Sequence, residues 1–254
     1  MTSQALTFDP TRPLGAPITL GGYGVQKRLE AARRFIAWTD CVVADVGCGN
    51  GAYTETIARE ARSVVGLDLQ EDLLRPFQQR ITQSGKDLKL ACAAAESLPL
   101  RTSSVDVAFC IETLEHVEDD IQGLSELHRI IKPGGSVLIT VPNKWFIFET
   151  HGLKSKLPGG NRFPFISWLP RPIHSRIAAA RIYSNGQIKA MVEAAGFVDV
   201  RVDYVMPPLD KVAFGPLRML LRQVVTLVER GPLRRLGVSL VISATKPAQV
   251  GDQR

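Results

Sequence analysis

The sequence predicts an α/β fold, a doubly wound sheet, largely parallel, with helices on both faces. Three observations predict it. Short β-rich runs alternate with helix-period segments between about residues 41 and 141. The first such run ends in a glycine-rich turn that opens a helix. After an aromatic interruption the alternation resumes, and the chain closes on a further strand. Strand–helix alternation at this spacing requires crossover connections, which cover both faces of a parallel sheet.

Residues 1–20 are rich in Pro and Gly and are expected to form a loose arm ahead of one domain over 21–254. From Gly24 to Trp38, Val25, Leu29, Ala32, Phe35 and Ile36 recur at helical spacing. Strand CVVADV (41–46), helix AYTETIARE (52–60), strand SVVGLD (63–68) and a helix over 70–83 follow. DLKLACA (87–93) and VDVAFC (105–110) are two further strands. A helix from Asp119 to Ile131 is expected to stop at KPGG, before strand SVLITV (136–141). An insertion over about 143–182 breaks the pattern; with Tyr183 it holds seven of the chain's 17 aromatics. A helix over 184–195 and strand FVDVRVDYV (197–205) restore it. An amphipathic helical segment over about 211–230 places Leu217, Leu220, Leu221, Val224 and Val228 on one face, with Arg218, Arg222, Thr226 and Glu229 opposite. VSLVISATK (238–246) is the last strand.

At 254 residues, 45% hydrophobic and 22% charged, the composition is that of a globular protein rather than a disordered one. No apolar run has the roughly 18 residues of a membrane-spanning helix, and the start, MTSQALTFDPTRPLG, has no secretory pattern. Cys41, Cys48, Cys92 and Cys110 form no CxxC pair and are expected to be buried free thiols, which implies a cytoplasmic protein. Residues 1–143 carry 14 Lys and Arg against 18 Asp and Glu (−4), while residues 144–254 carry 17 against 7 (+10). The net charge of +6 thus belongs to the C-terminal part, which suits an anionic substrate, a membrane surface or a solvated basic face.

The strongest local signal is ADVGCGNGAY (44–53), set between a strand and a helix. A sharp strand-to-helix reversal, with close approach of a ligand to the backbone, requires glycine, and the helix start behind it offers free N–H groups. Gly47, Gly49 and Ala52 also satisfy the G-x-G-x-x-[GA] fingerprint of nicotinamide and flavin binding. Asp68, ending the second strand, fits a ribose-hydroxyl role in either case.

The rest of the chain separates these readings. DxGxGxG (Asp45, Gly47, Gly49, Gly51) resembles the first motif of class I S-adenosylmethionine-dependent methyltransferases, and GLDLQ (66–70) their second. AAAESLPLRTSSVDVAFCIETLEHVED is similar to the region through their fourth strand, and LHRIIKPGGSVLITVPN to their fifth. In order, these matches cover about residues 41–143, and they look most like the methyltransferase type 11 group that includes ubiquinone-biosynthesis O-methyltransferases. The resemblance implies a Rossmann-like seven-stranded sheet whose last strand is antiparallel, and S-adenosylmethionine as cofactor. It places Asp45, Gly47, Gly49 and Gly51 at the methionine part, Asp68 and Leu69 at the ribose, Ala95 and Glu96 beside the adenine, and Ile111 beneath the cofactor. One departure is Ala94, where relatives usually carry an Asp that accepts from the adenine amino group; Glu96 or backbone groups would take over. Plainer roles stand beside these: turn formation or capping for Asp45 and Asp68, core packing for Ile111.

Glu112-x-x-Glu115-His116 places two carboxylates and an imidazole on one helical face at the end of the fourth strand, where such sheets carry their reactions. The pattern is similar to the E-x-x-E-H metal motif of ubiquinone O-methyltransferases and small-RNA 2′-O-methyltransferases. It suits Mg²⁺ or Zn²⁺, with His151 or His174 as candidate fourth ligand. Without a metal, Glu112 and Glu115 are helix-start acids, and His116 or His151 is the general base. By resemblance, Asn143 points at the acceptor. The insertion interleaves aromatics with Lys and Arg, which suits a small hydrophobic acceptor, quinone-, lipid- or natural-product-like, with O-methylation favoured, or a lid in a membrane interface. Nucleic acid ranks lower, since acidic residues 112–120 flank the path. The basic C-terminal half suits peripheral membrane contact. Two alternatives remain: a catalytically silent cofactor-binding interaction module, hinted at by Ala94, and a nicotinamide oxidoreductase, against which no Y-x-x-x-K pair is found.

Overall fold

The computed structural model describes residues 20, 22–82, 87–154, 164–209, 215–229 and 231–248. Apart from Leu20 the expected N-terminal arm lies outside the described residues, as do Phe163 and the first residues of the 211–230 segment. Seven strands, β1 (Val42–Val46), β2 (Ser63–Asp68), β3 (Leu88–Cys92), β4 (Val105–Ile111), β5 (Ile131–Pro142), β6 (Val198–Val205) and β7 (Ser239–Thr245), form one sheet in the order β3-β2-β1-β4-β5-β7-β6. Strands β1 to β5 are parallel; β7 is antiparallel to both neighbours, β5 and β6. The Rossmann-like fold with an antiparallel last strand is therefore the one the sequence predicts. Strand order reverses at β1, so the connections leaving the C-terminal ends of β1 and β4 run in opposite directions and leave a crevice there.

The side-chain period of two divides the core. Ala108 and Cys110 of β4 face one way, with Leu124, Leu127 and Ile130 of α4 (Asp120–Ile130) and Ile188 and Val192 of α6 (Asn185–Ala194). Val107, Phe109 and Ile111 face the other, with Leu29 and Ala32 of α1 (Tyr23–Arg33), Ile57 of α2 (Thr54–Ile57) and Phe77 of α3 (Glu71–Thr82). The two remaining helices, α5 (Arg171–Ile177) and α7 (Gly215–Glu229), lie in the insertion and before β7.

Three boundaries differ from expectation, each for a local reason. Helix α1 stops at Arg33, and Trp38 leaves the helical path to stack edge-on against Phe109 at 5.4 Å between centroids. Helix α2 is a single turn, because the chain from Ala58 onward must bring the Arg62 amide to the Cys41 carbonyl (2.9 Å) to start β2. KPGG is not a break between helix and strand: Pro133, Gly134 and Gly135 lie inside β5. There the backbone passes so close to β4 that a Cβ on Gly135 would sit 2.6 Å from the Asp106 carbonyl oxygen. The thiols also need correction. Cys48 and Cys110 are buried, but Cys92 on edge strand β3 is exposed and Cys41 is half-buried.

The glycine turn is fixed sterically. Gly51 has φ +84°, and a Cβ there would meet the Phe77 ring at 2.3 Å. Gly51→Ala is therefore expected to cost about 1–3 kcal/mol from backbone strain and displacement of Phe77, read as a lowered urea midpoint. An unchanged midpoint would show that the turn tolerates a side chain.

Candidate active site at the ends of β1 and β4

Two sites meet at the β1/β4 crevice. The first is the glycine turn. The Gly47 and Cys48 amides donate to the Leu67 carbonyl of β2 at 2.7 and 3.0 Å, folding the turn back over the sheet edge. The Asp68 carboxylate then fixes it, one oxygen accepting from the Gly49 amide (2.7 Å) and the other from the Gln70 amide (2.8 Å). Burial pushes its pKa up, against the amides' opposing pull. Each oxygen keeps a lone pair for a hydroxyl donor. Asp45 is buried and accepts from the Thr54 hydroxyl at 2.6 Å, and burial raises its pKa to about 6. It braces β1 to α2 behind the turn. A Cβ built on Gly49 would make only ordinary van der Waals contacts, 3.9 Å from Leu73 and 4.0 Å from Asp68, so the turn is not crowded at that point.

Leu69 follows Asp68 at the same edge, and its carbonyl accepts from the Cys92 thiol at 3.5 Å. Ala95 is buried, and the Glu96 carboxylate accepts from the Glu118 and Asp119 amides at 2.6 and 3.3 Å, holding the approach to α4. Ile111 is buried at the end of β4.

The second site is a buried cluster of acids and bases just beyond β4. Glu112 has φ +52°, a left-handed conformation costly for a side-chain-bearing residue and frequent at functional sites. Its amide donates to the Thr140 carbonyl (3.0 Å), and its carboxylate accepts from the Thr140 hydroxyl (3.2 Å). Arg28 of α1 lies 3.5 Å from the same carboxylate oxygen and also donates to the Ser239 hydroxyl (3.2 Å). Burial opposes ionisation of Glu112, but Arg28 and His151 outweigh it and lower its pKa.

Glu115 is fully buried. His151, brought in by the insertion, places Nε2 at 3.3 Å from Glu115 and 3.8 Å from Glu112, and its ring meets that of His116 edge-on at 5.0 Å. Burial raises Glu115 to about 7, partly offset by His151. Burial would lower His151, but its hydrogen bond to Glu115 and the charges of Glu115, Glu112 and Glu149 carry it to about 9. Ligand atoms of Glu115, His116 and His151 lie within 4.8 Å of one another. The compact trio thus exchanges Glu112, which is engaged by Arg28, for His151.

Two other sequence candidates lie elsewhere. Asn143 is buried, and its amide group donates to the Arg235 and Gly237 carbonyls at 2.9 and 2.8 Å while its oxygen accepts from the Trp145 amide. With donors and acceptor so used, it clamps the chain before β7 rather than facing an acceptor. His174 pairs with Glu149 at 2.9 Å, away from the trio. Arg28 is the residue that sequence reading missed. Its signal was a charge on the face defined by Val25, Leu29 and Ala32, where an apolar residue is expected.

The two sites touch. Thr113, between the acids, packs so closely on the glycine turn that a Cβ on Gly47 would lie 1.9 Å from its hydroxyl oxygen. Among known proteins, residues 44–139 match the model of a methyltransferase domain. The stretch from β1 into β5 is thus similar to a methyltransferase domain. The chain is 29% identical to a ubiquinone biosynthesis O-methyltransferase of Idiomarina loihiensis over 69% of its length and 66% of the relative's. With the enzyme of the same name from Methylococcus capsulatus it shares 37% identity over 39% of this chain and 43% of the relative. The chain thus spans under two thirds of the first relative and under half of the second. An S-adenosylmethionine-dependent methyltransferase from Mesorhizobium loti shares the fold at a TM-score of 0.62 and 17% identity, covering 89% of this chain and all of that one. A second, from Thermotoga maritima, gives a TM-score of 0.59 at 18% identity over 88% and 89% of the two chains.

Glu115 and His151 both bind a proton more tightly in the folded chain than in the unfolded one. Their contribution to stability is therefore complete below the unfolded-chain values and is lost as pH rises, through about 7 for Glu115 and about 9 for His151. In chelator-treated protein the urea midpoint is expected to fall between pH 6.5 and 9, with up to ~3 kcal/mol of stability linked to His151. His151→Phe is expected to flatten that fall; an unchanged slope would refute the assignment.

Proposed function

We propose that the protein is an S-adenosylmethionine-dependent methyltransferase that methylates an oxygen of a small hydrophobic acceptor, quinone-, lipid- or natural-product-like. The contact between the glycine turn and the buried acid–imidazole cluster through Thr113 carries this reading. It sets a cofactor cradle against proton-handling groups at one strand edge.

The cradle fits the cofactor's chemistry. Gly49, where no neighbour crowds the position of a Cβ, lets a ligand approach the backbone, and the free lone pairs of Asp68 face the place of two vicinal hydroxyls. The cofactor, when bound, supplies an electrophilic methyl on a sulfonium. The protein's part is alignment, exclusion of water and removal of the acceptor proton. Glu115 and His151 hold a proton between them, and His116 lies against His151; an acceptor hydroxyl delivered to this cluster meets a carboxylate able to take its proton near neutral pH.

The same donors suit a divalent metal. One carboxylate and two imidazoles within reach of a single ion match Zn²⁺ better than the oxygen-preferring Mg²⁺. Such an ion would supply Lewis acidity toward the acceptor oxygen, held by Glu115, His116 and His151. Calorimetric titration of chelator-treated protein with S-adenosylhomocysteine is expected to show micromolar binding that Asp68→Ala weakens at least tenfold. A parallel titration with Zn²⁺ is expected to show a site lost in His116→Ala. Absence of nucleoside binding in the folded protein would overturn the methyltransferase reading and favour a silent module; absence of Zn²⁺ binding would leave proton transfer to Glu115 and His151.

We place the working protein against a membrane surface in a reducing compartment. Trp145, Phe148, Phe165 and Trp168 of the insertion are exposed, with Phe165 and Trp168 stacked at 4.8 Å. On α7, Leu217, Leu220, Val224 and Leu227 form an exposed stripe, while no helix among the described residues is long and apolar enough to cross a membrane. The positive charge of the C-terminal part complements anionic lipid. Co-sedimentation with vesicles containing phosphatidylglycerol is expected, reduced at least fivefold in the Leu220→Glu, Leu227→Glu double variant. Equal sedimentation of both proteins would remove α7 from the contact.

A further inference from the structure

The acid–imidazole cluster joins two segments with no regular structure of their own, the turn after β4 and the part of the insertion around residue 151. Both hang on one stretch, residues 171–183. On one side, the Tyr183 hydroxyl donates to the Leu114 carbonyl (3.2 Å), the Arg181 amide donates to the Glu115 carbonyl (3.1 Å), and the Arg181 guanidinium reaches the Val117 and Glu118 carbonyls. These bonds hold the turn bearing Glu115 and His116.

On the other side stands a pair that the proposed chemistry does not use. Glu149 and His174 are buried, with side-chain exposures of 1% and 3%, and meet at 2.9 Å. The second Glu149 carboxylate oxygen accepts from the backbone amides of Thr150 and His151, at 3.0 and 3.1 Å. The His151 backbone is therefore tied by a carboxylate to an imidazole on α5. The Ala179 amide donates to the Gly152 carbonyl (3.1 Å) and the Lys154 amide to the Ile177 carbonyl (2.9 Å), extending the tie. A buried carboxylate and imidazole are costly to place unless each finds its partners, so the pair fixes both segments together or not at all.

We propose that Glu149 and His174 form a positioning pair that sets His151 against Glu115 and His116, with residues 171–183 as the common brace. This rests on the reading of His151 as a working member of the acceptor site. The pair touches no reacting atom; it acts through the backbone of residue 151, as outer groups orient the ligands they support.

The chain has four histidines, so ring-labelled protein gives few signals, and His151→Ala assigns the one that matters. The wild type is expected to show a ring-to-ring nuclear Overhauser effect between His116 and His151. Glu149→Leu and His174→Phe are each expected to abolish it, leaving the His128 ring, stacked on Phe197, unshifted as a monitor of the fold. Glu149→Gln, which keeps an acceptor for the two amides and a donor for His174, is expected to retain it. Co²⁺ affinity is expected to fall about 10–100-fold in the first two variants, with S-adenosylhomocysteine affinity unchanged. Persistence of the Overhauser effect in both Glu149→Leu and His174→Phe, or its absence in the wild type, would overturn the proposal. A wild type that binds no Co²⁺ would instead overturn the metal reading, while the ring contact still decides the positioning role.

Discussion

Two carboxylates buried at the tip of an apolar strand impose a requirement that the surrounding structure meets. Glu112 and Glu115 follow directly on β4, whose last residues pack in the core on both faces. A buried charge without a partner costs several kcal/mol even after relaxation. Positive groups must therefore come from outside the sheet, and they come from two separate parts of the chain. Arg28 arrives on α1 and His151 on the insertion. This explains why an N-terminal helix and a loop-rich insertion are both drawn to the same strand end. The division of labour follows from the chemistry of the two cations. Arginine stays charged and holds Glu112 ionised; histidine shares a proton with Glu115 and leaves that pair able to change state.

The two halves of the site use different materials. The proposed cofactor cradle is mostly backbone: amides of residues 47 to 49 against Leu67 and Asp68, with glycine at 47 and 51 where a side chain would collide. The cluster beyond β4 is mostly side chain, assembled from α1, the β4 turn and the insertion. A backbone cradle depends on local conformational rules and so on a short stretch of sequence. A side-chain cluster depends on tertiary placement. Thr113 joins them, because its methyl and hydroxyl fill the space that the missing Cβ of Gly47 leaves.

That difference also governs what could be read beforehand. The strands were legible because runs such as SVVGLD and VDVAFC carry β-branched residues at the spacing of a crossover fold, and the glycine turn because only a few residue types tolerate its backbone. The E-x-x-E-H pattern was legible as a cluster, but its membership was not. Spacing joins Glu112 to Glu115 and His116; only the fold shows that Arg28 engages Glu112 and that His151 completes the trio. Asn143 illustrates the same limit. Its place after β5 suggested an acceptor-facing amide, whereas β7 lies beside β5 and its preceding carbonyls at 235 and 237 take both amide hydrogens. KPGG misled for a third reason: proline and glycine end helices, but glycine also lets a strand edge press against its neighbour, and here it does the latter, inside β5.

Helix α7 shows how far periodicity alone can carry an argument. Its sequence fixes an apolar stripe opposite a polar one but not which of them faces the protein. On the protein side stands α1, whose outer surface offers Lys27 and Tyr23 rather than aliphatic groups. Glu229 pairs with Lys27 at 2.5 Å, and the Arg222 guanidinium lies over the Tyr23 ring at 4.0 Å. The side of α7 that docks is therefore mixed: Leu221, Val225 and Val228 are half-buried beside Arg222 and Glu229, while Leu217, Leu220, Val224 and Leu227 are turned outward with Gln223 and Thr226. An ordinary surface helix buries its apolar stripe; this one buries one edge of it, at Leu221 and Val228, and presents the other edge to whatever lies beyond. Because Lys27 and Arg28 are neighbours on α1, the helix that supplies the buried cation to Glu112 also orients α7, so the inner charge requirement and the outer apolar surface have one structural origin.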